Sequence, residues 1–184
     1  VAHRAGAVGG AWPDAAAPLV MLARPFGPDG VHVSVIGQGT WRLGESRAAE
    51  KEEIAALRLG IDLGLTHIDT AEMYADGGAE RVVGQAIAGR RDRVFIATKV
   101  QPRNASFAGT LSACEQSLKR LRTDYVDLYL LHWWNDQHPI GETMRAMEEI
   151  VERGLVRLIG VSNFDVYELG KAQAALTRER LASN

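Results

Sequence analysis

The chain has 184 residues, 46% of them hydrophobic and 24% charged, with a formal net charge of −2; these values fit one globular domain and exclude an intrinsically disordered chain. So balanced a charge leaves no basic stripe for phosphates, which argues against nucleic acid and against anionic membrane surfaces as partners. No run approaches the roughly 20 apolar residues of a bilayer span, and the single cysteine, Cys114, excludes an internal disulfide framework and points to a reducing, cytoplasmic setting.

Residues 1–20, VAHRAGAVGGAWPDAAAPLV, are rich in Ala and Gly without a hydrophobic period and read as a disordered extension. Pro13 and Asp14 interrupt the only stretch that could act as a signal peptide. Met21 opens the first patterned segment and is a candidate start, so the folded domain is expected over residues 21–184. MLARPF and VHVSVIG flank Gly27-Pro28-Asp29-Gly30, the turn chemistry of a hairpin whose second arm continues inward. From there strand and helix periods alternate. VSVIG, THIDTA, VFIATKV, VDLYLLHW and VRLIGVS are short runs rich in Val, Ile and Leu, as in parallel strands buried on both faces. Between them, helical stripes run through Ile54, Leu57, Ile61 and Leu65, through Phe107, Leu111, Cys114, Leu118 and Leu121, and through Met144, Met147, Ile150 and Val151. Gly64, Gly89 and Gly154 stand where helix C-terminal caps are expected, and Asp165 is placed to cap the last helix at its N-terminus.

This alternation predicts a parallel sheet with right-handed crossovers, an α/β fold for which two architectures compete. A doubly wound dinucleotide-binding sheet needs a glycine fingerprint after its first strand. Gly37-Gln38-Gly39-Thr40-Trp41-Arg42 resembles one only in part, because Arg42 stands in the third glycine's place and the helical pattern starts late, near Ser46. A (β/α)₈ TIM barrel fits better, since polar residues recur at the C-terminal ends of the strands, where barrel enzymes place their chemistry. Such a barrel typically needs about 250 residues and seldom fewer than about 200. The expectation is therefore an incomplete barrel, an N-terminal hairpin plus about five β/α units, in a truncated gene product or fragment.

Four residues near those strand ends carry the chemistry. Asp69 closes an apolar strand, where a charge needs a partner, and Lys99 offers one from the end of the next strand. A structural ion pair is the plain alternative. Tyr74 opens a loop over the same end of the sheet, and His132 closes VDLYLLH. Hydride addition to a carbonyl creates an alkoxide, which needs a proton and electrostatic stabilisation. Tyr74 would donate the proton, and a cationic Lys99 nearby would stabilise the phenolate left behind. Asp69 would hold Lys99, while His132 would bond the carbonyl oxygen and orient the substrate. The competing metal site lacks HExxH, paired CxxC or a close histidine cluster, so no metal is expected. Cys114 belongs to a helical stripe and is expected to behave as a small hydrophobe.

VIGQGTW, HIDTAEMYADGGAERVVGQAI, IATKV, YLLHWW and GLVRLIGVSNFD occur in the order and near the spacing of the aldo-keto reductases, and the chain from Met21 to Asn184 resembles that family. The resemblance implies a (β/α)₈ barrel that reduces aldehydes and ketones with a nicotinamide cofactor. It places Asp69, Tyr74, Lys99 and His132 at the catalytic tetrad, with the tyrosine as general acid. It further implies that Gly39, Thr40, Trp41 and Asp69 border the nicotinamide. Ser162 and Asn163 would hold its carboxamide, and Trp41 and Trp133 would join Tyr74 and His132 in walling the substrate pocket. The implied cofactor is NADPH, with NADH as the alternative. The implied partner is a small carbonyl substrate, with a monomeric full-length parent. HWWNDQHPIGETMRAMEEIVERG is similar to the prokaryotic branch that contains diketogluconate and methylglyoxal reductases. Family members continue into a sixth strand with a cofactor-contacting glutamine, a stacking tyrosine and a basic phosphate-binding segment, none of them in this chain. Two rival readings follow: a non-catalytic binding or scaffold relative, and an inactive partial barrel.

Overall fold

The computed structural model describes residues 21–184; the extension expected over residues 1–20 lies outside the described residues. Strands β1 (Ala23–Phe26) and β2 (Val31–Ser34) form an antiparallel hairpin. Its turn is closed by Gly30 N donating to the Gly27 carbonyl at 3.2 Å. Five parallel strands follow: β3 (Gly37–Gly39), β4 (His67–Asp69), β5 (Phe95–Val100), β6 (Val126–Leu131) and β7 (Val156–Val161). Helices α1 (Glu50–Asp62), α2 (Gly78–Ala86), α3 (Phe107–Leu121) and α4 (Ile140–Glu152) connect them, and α5 (Val166–Ala175) follows β7.

The strands pair strictly in sequence order, β3-β4-β5-β6-β7. A doubly wound sheet reverses direction at a switch point, so the order selects the barrel architecture. The described strands form an open sector of that barrel. Residues 181–183 lie along β7 as an isolated parallel bridge beyond the five expected strands. Ala182 N donates to the Ile159 carbonyl at 2.8 Å, Val161 N donates to the Ser183 carbonyl at 3.0 Å, and Leu181 bridges Ile159 in parallel. Gly160 admits this segment, since a Cβ there would lie 2.8 Å from the Ser183 carbonyl oxygen.

One expected strand is corrected. VSVIG splits: its first two residues end the hairpin, Val35 and Ile36 are about half exposed, and the first parallel strand is Gly37-Gln38-Gly39. The inward positions of that strand are glycines, which carry no hydrophobic signal. Gln38 turns outward and donates to the Leu65 carbonyl at 2.8 Å.

Period-two alternation divides the core. Ile68, Ile96, Val100, Tyr129, Leu131, Ile159 and Val161 face the helices and meet Leu57, Ile61, Val83, Cys114, Leu121, Met144, Met147 and Ile150. Phe95, Ala97, Leu128, Leu130 and Leu158 face the barrel interior in a smaller cluster with Val33 and Phe26 of the hairpin. Cys114 is fully buried, and burial pushes its thiol up to about 12, which suits an inert packing role. The expected α3 stripe loses only Phe107, exposed at the helix start. Gly64, Gly89 and Gly154 all take positive φ. Asp165 forms the capping box, accepting from Glu168 N at 2.7 Å.

Candidate active site

The same alternation that buries Ala97 and Leu130 inward carries Lys99 and His132 to the inner side of the sheet at its C-terminal end. Asp69 arrives there from β4, in register with Gly39 on one side and Ala97 on the other. Lys99 is almost wholly buried, and its Nζ has three partners: the Asp69 carboxylate at 2.8 Å, the Thr70 carbonyl at 2.9 Å and the Tyr74 hydroxyl at 3.3 Å. A buried ammonium is tolerable because an anion and two further oxygens satisfy it. Asp69 is itself anchored through its backbone, where its carbonyl accepts from Thr40 N at 3.1 Å and from the Thr40 hydroxyl at 2.9 Å.

The Tyr74 ring stands edge-on to His132, with centroids 5.7 Å apart, and His132 stands edge-on to Trp133 at 5.0 Å. Burial, helped by the Lys99 cation and opposed only in part by Asp69, lowers the His132 pKa to about 4. The ring is therefore neutral at pH 7. It can donate one hydrogen bond, but it is a poor store for a proton. Its Nδ1 is buried without a hydrogen-bond partner among the described residues, a position that calls for a polar group.

At the end of β7, Asn163 takes a left-handed backbone (φ 61°), and its Nδ2 donates to the His132 carbonyl at 2.9 Å and to the Ser162 hydroxyl at 3.0 Å. Ser162 and Asn163 thus sit against the His132 strand end. Gly39 faces open space at the same end of β3. Trp41 is 71% exposed, whereas Trp133 is half-buried against His132. Thr40 is buried, and its hydroxyl is committed to Asp69. The structure thus gathers Asp69, Tyr74, Lys99, His132 and Trp133 closely, with Ser162 and Asn163 alongside.

Two buried carboxylates adjoin this site without being among the expected residues. Glu72 is buried between the loops that follow β4 and β5, and Glu80 is buried in the first turn of α2, against Thr98 of β5. Glu80 carried a readable signal, because it lies on the helical stripe of Val83 and Ile87, where an acid needs a partner. Glu72 carried none.

A lysine, a carboxylate, a phenol and a neutral imidazole thus meet at the C-terminal mouth of a parallel α/β barrel sector, where barrel enzymes carry their active sites. The sequence model of the Aldo/keto reductase family matches residues 35–182, and the chain belongs to that family. Methylglyoxal reductase YeaE of Escherichia coli is 54% identical over 139 residues, covering 76% of this chain and 49% of that protein. Aldo-keto reductase YhdN of Bacillus subtilis is 41% identical over 158 residues, covering 79% and 48%. A crystal structure of an aldo/keto reductase from Klebsiella pneumoniae in complex with NADP and acetate is 53% identical, with a TM-score of 0.79, covering 86% of this chain and 55% of that one. The chain spans about half the length of the curated relatives it matches. Among the described residues no helix is long and apolar enough to cross a membrane, and no group of three or more His, Cys, Asp or Glu side chains could hold a metal ion.

Proposed function

We propose that this chain carries the proton-delivery half of an NADP(H)-dependent reductase of small aldehydes and ketones, with Tyr74 as the general acid. One observation carries the reading: Lys99 Nζ contacts the Asp69 carboxylate and the Tyr74 hydroxyl at once, beside an imidazole that is neutral at pH 7. That arrangement separates the roles. His132, with one N–H and a low proton affinity, orients the carbonyl oxygen and does not protonate it. Tyr74 donates the proton, and the Lys99 ammonium stabilises the phenolate that results. Asp69 keeps Lys99 in place by compensating its buried charge.

The residues at the end of β7 suit a nicotinamide carboxamide. Its amide offers N–H donors and a carbonyl acceptor, the Asn163 side-chain oxygen can accept, and the Ser162 hydroxyl can donate. Bound there, the cofactor would supply the hydride for the carbonyl carbon. Gly39 leaves open space at the same mouth, and the exposed Trp41 ring supplies an apolar surface for a bound ring or substrate. Small carbonyl compounds are the proposed substrates and the cytoplasm the proposed location. Residues 21–184 would form one barrel unit, and the parent protein would be a monomer.

The test pairs NADPH fluorescence titration with turnover of methylglyoxal, the substrate in the name of the Escherichia coli relative YeaE. Tyr74→Phe should lower turnover by about 10²–10⁴-fold, the range for loss of a general acid, while NADPH quenching stays as in the unmodified chain. Equal turnover by the variant would overturn the acid role, and loss of quenching in the variant alone would make Tyr74 a cofactor-holding residue instead.

A further inference from the structure

Tyr74 sits at the head of a turn that its own backbone disfavours. Ala75 (φ 49°, ψ 41°) and Asp76 (φ 49°, ψ 47°) are both left-handed, and Gly77 (φ 78°, ψ 6°) follows them. Glycine adopts this conformation freely, but a residue with a Cβ does not, so two in succession persist only where the surroundings impose them. The φ/ψ values of Ala75 and Asp76 are the strain, and two carboxylates flank it.

Upstream, Glu72 accepts from Gln101 N at 2.7 Å and from Asn104 Nδ2 at 3.0 Å through Oε1, and from the same Nδ2 at 3.2 Å through Oε2. Its backbone N donates to the Lys99 carbonyl at 3.3 Å. The loop carrying Tyr74 is thereby tied to the loop that directly follows Lys99. Downstream, fully buried Glu80 accepts from the hydroxyl of Thr98, the residue before Lys99, at 2.5 Å. It also pairs with Arg120 Nε at 2.5 Å. Arg120 lies across Gly77, where a Cβ would come within 2.5 Å of its Cδ, so the turn is closed from outside as well. Neither carboxylate contacts Asp69, Lys99 Nζ or the Tyr74 hydroxyl, yet both join the Tyr74 turn to the Lys99 strand.

We propose that Glu72 and Glu80 are positioning residues that clamp the left-handed turn Ala75–Gly77 and so hold the Tyr74 hydroxyl within reach of Lys99. The functional consequence rests on the reading of Tyr74 as proton donor; the clamp itself is open to a test that needs no turnover.

In the chain labelled with ¹³Cζ-tyrosine, the resonance missing from Tyr74→Phe identifies Tyr74. Glu72→Ala should shift or broaden that resonance and leave those of Tyr125 and Tyr167 in place. Glu72→Gln, which keeps an acceptor for Gln101 N, should restore most of the original signal. So should Ala75→Gly added to Glu72→Ala, because glycine takes the left-handed conformation without a clamp. Asn104→Ala removes one donor of the clamp, should give a smaller change of the same kind, and serves if Glu72→Ala does not fold. Glu80→Gln should act as Glu72→Ala does, though more weakly. An unmoved Tyr74 resonance in Glu72→Ala and Asn104→Ala would overturn the proposal, as would a uniform shift of all tyrosines that is reversed neither in Glu72→Gln nor by adding Ala75→Gly. In turnover, Glu72→Ala should lower kcat by about tenfold to a hundredfold, the effect of a misplaced reacting group, with KM for NADPH unchanged. If Tyr74→Phe retained full turnover, the acid role would fail while the resonance result still decided the clamp.

Discussion

Burial and the neighbouring Lys99 cation hold His132 neutral down to about pH 4, against an ordinary histidine value of 6.5. Between those values the unfolded chain takes up a proton that the folded chain refuses. The contribution of His132 to stability is therefore complete above about pH 6.5 and is lost as the pH falls toward 4. Urea midpoints measured at about pH 7 and about pH 4.5, on either side of that loss, should lie further apart in the unmodified chain than in His132→Gln, which lacks the titrating ring. Equal separations would mean that His132 titrates as an ordinary histidine. The sequence made His132 legible for the same reason that it is desolvated: it ends a strand whose every other residue is buried. Asp69 and Lys99 were readable on the same ground. Tyr74 was readable as a residue but not in its backbone, since nothing in YADGG announces that Ala75 and Asp76 are left-handed; the contacts of Glu72 and Glu80 that hold that turn reach residues distant in the chain.

At the scale of the element, the segment after α5 depends on one side chain of α4. Glu148 is buried and accepts from Thr177 N at 2.7 Å, Arg178 N at 2.5 Å, Glu179 N at 3.2 Å and the Thr177 hydroxyl at 3.0 Å. Burial pushes its carboxyl up, but the three backbone amides and the hydroxyl together outweigh that and hold it below its ordinary value. Its contribution is thus present above the ordinary carboxyl range and lost as the pH falls through its lowered value. Glu148→Ala should cost about 2–3 kcal/mol, the scale of hydrogen bonds to a charged group, as read by urea unfolding at neutral pH. Amide exchange should locate the loss: the Ala182 amide, which donates to Ile159, should exchange faster by a larger factor than the amides within β5. Equal acceleration at both would mean that Glu148 supports the whole domain and not this segment. In the sequence, Glu148 borders the expected stripe of Met144, Met147, Ile150 and Val151, whereas Glu149 points away from it, so the burial of Glu148 is readable but its partners, about thirty residues on in the chain, are not. The Asp165 cap, by contrast, was legible because it depends on residues of a single turn, and the structure adds Glu168 as the reciprocal partner of a capping box.

For the whole molecule, the strand order and the helix-facing stripes were legible because each βαβ unit contacts mainly its sequence neighbours, so local periodicity encodes the architecture. The interior of the sheet was not. Its first strand shows glycines there, and its lower end is filled by the hairpin, where Phe26 meets Phe95 edge-on at 5.5 Å and Gly27 approaches Leu158. This asymmetry predicts which side of the sheet carries the stability. Met147 is fully buried between α4 and the sheet, within a continuous cluster reaching from Leu57 to Ala172. Its neighbours are fixed on two layers and cannot close over a gap, so Met147→Ala should fall toward the upper part of the roughly 2–5 kcal/mol range for large-to-small core changes. Leu158 keeps 8% exposure in the smaller interior cluster, against a two-stranded hairpin free to settle inward. Leu158→Ala should therefore fall near the lower end of that range, about 2 kcal/mol. Paired urea unfolding of the two variants decides the matter: a loss for Leu158→Ala equal to or greater than that for Met147→Ala would place the dominant core inside the barrel sector, not between its sheet and its helices.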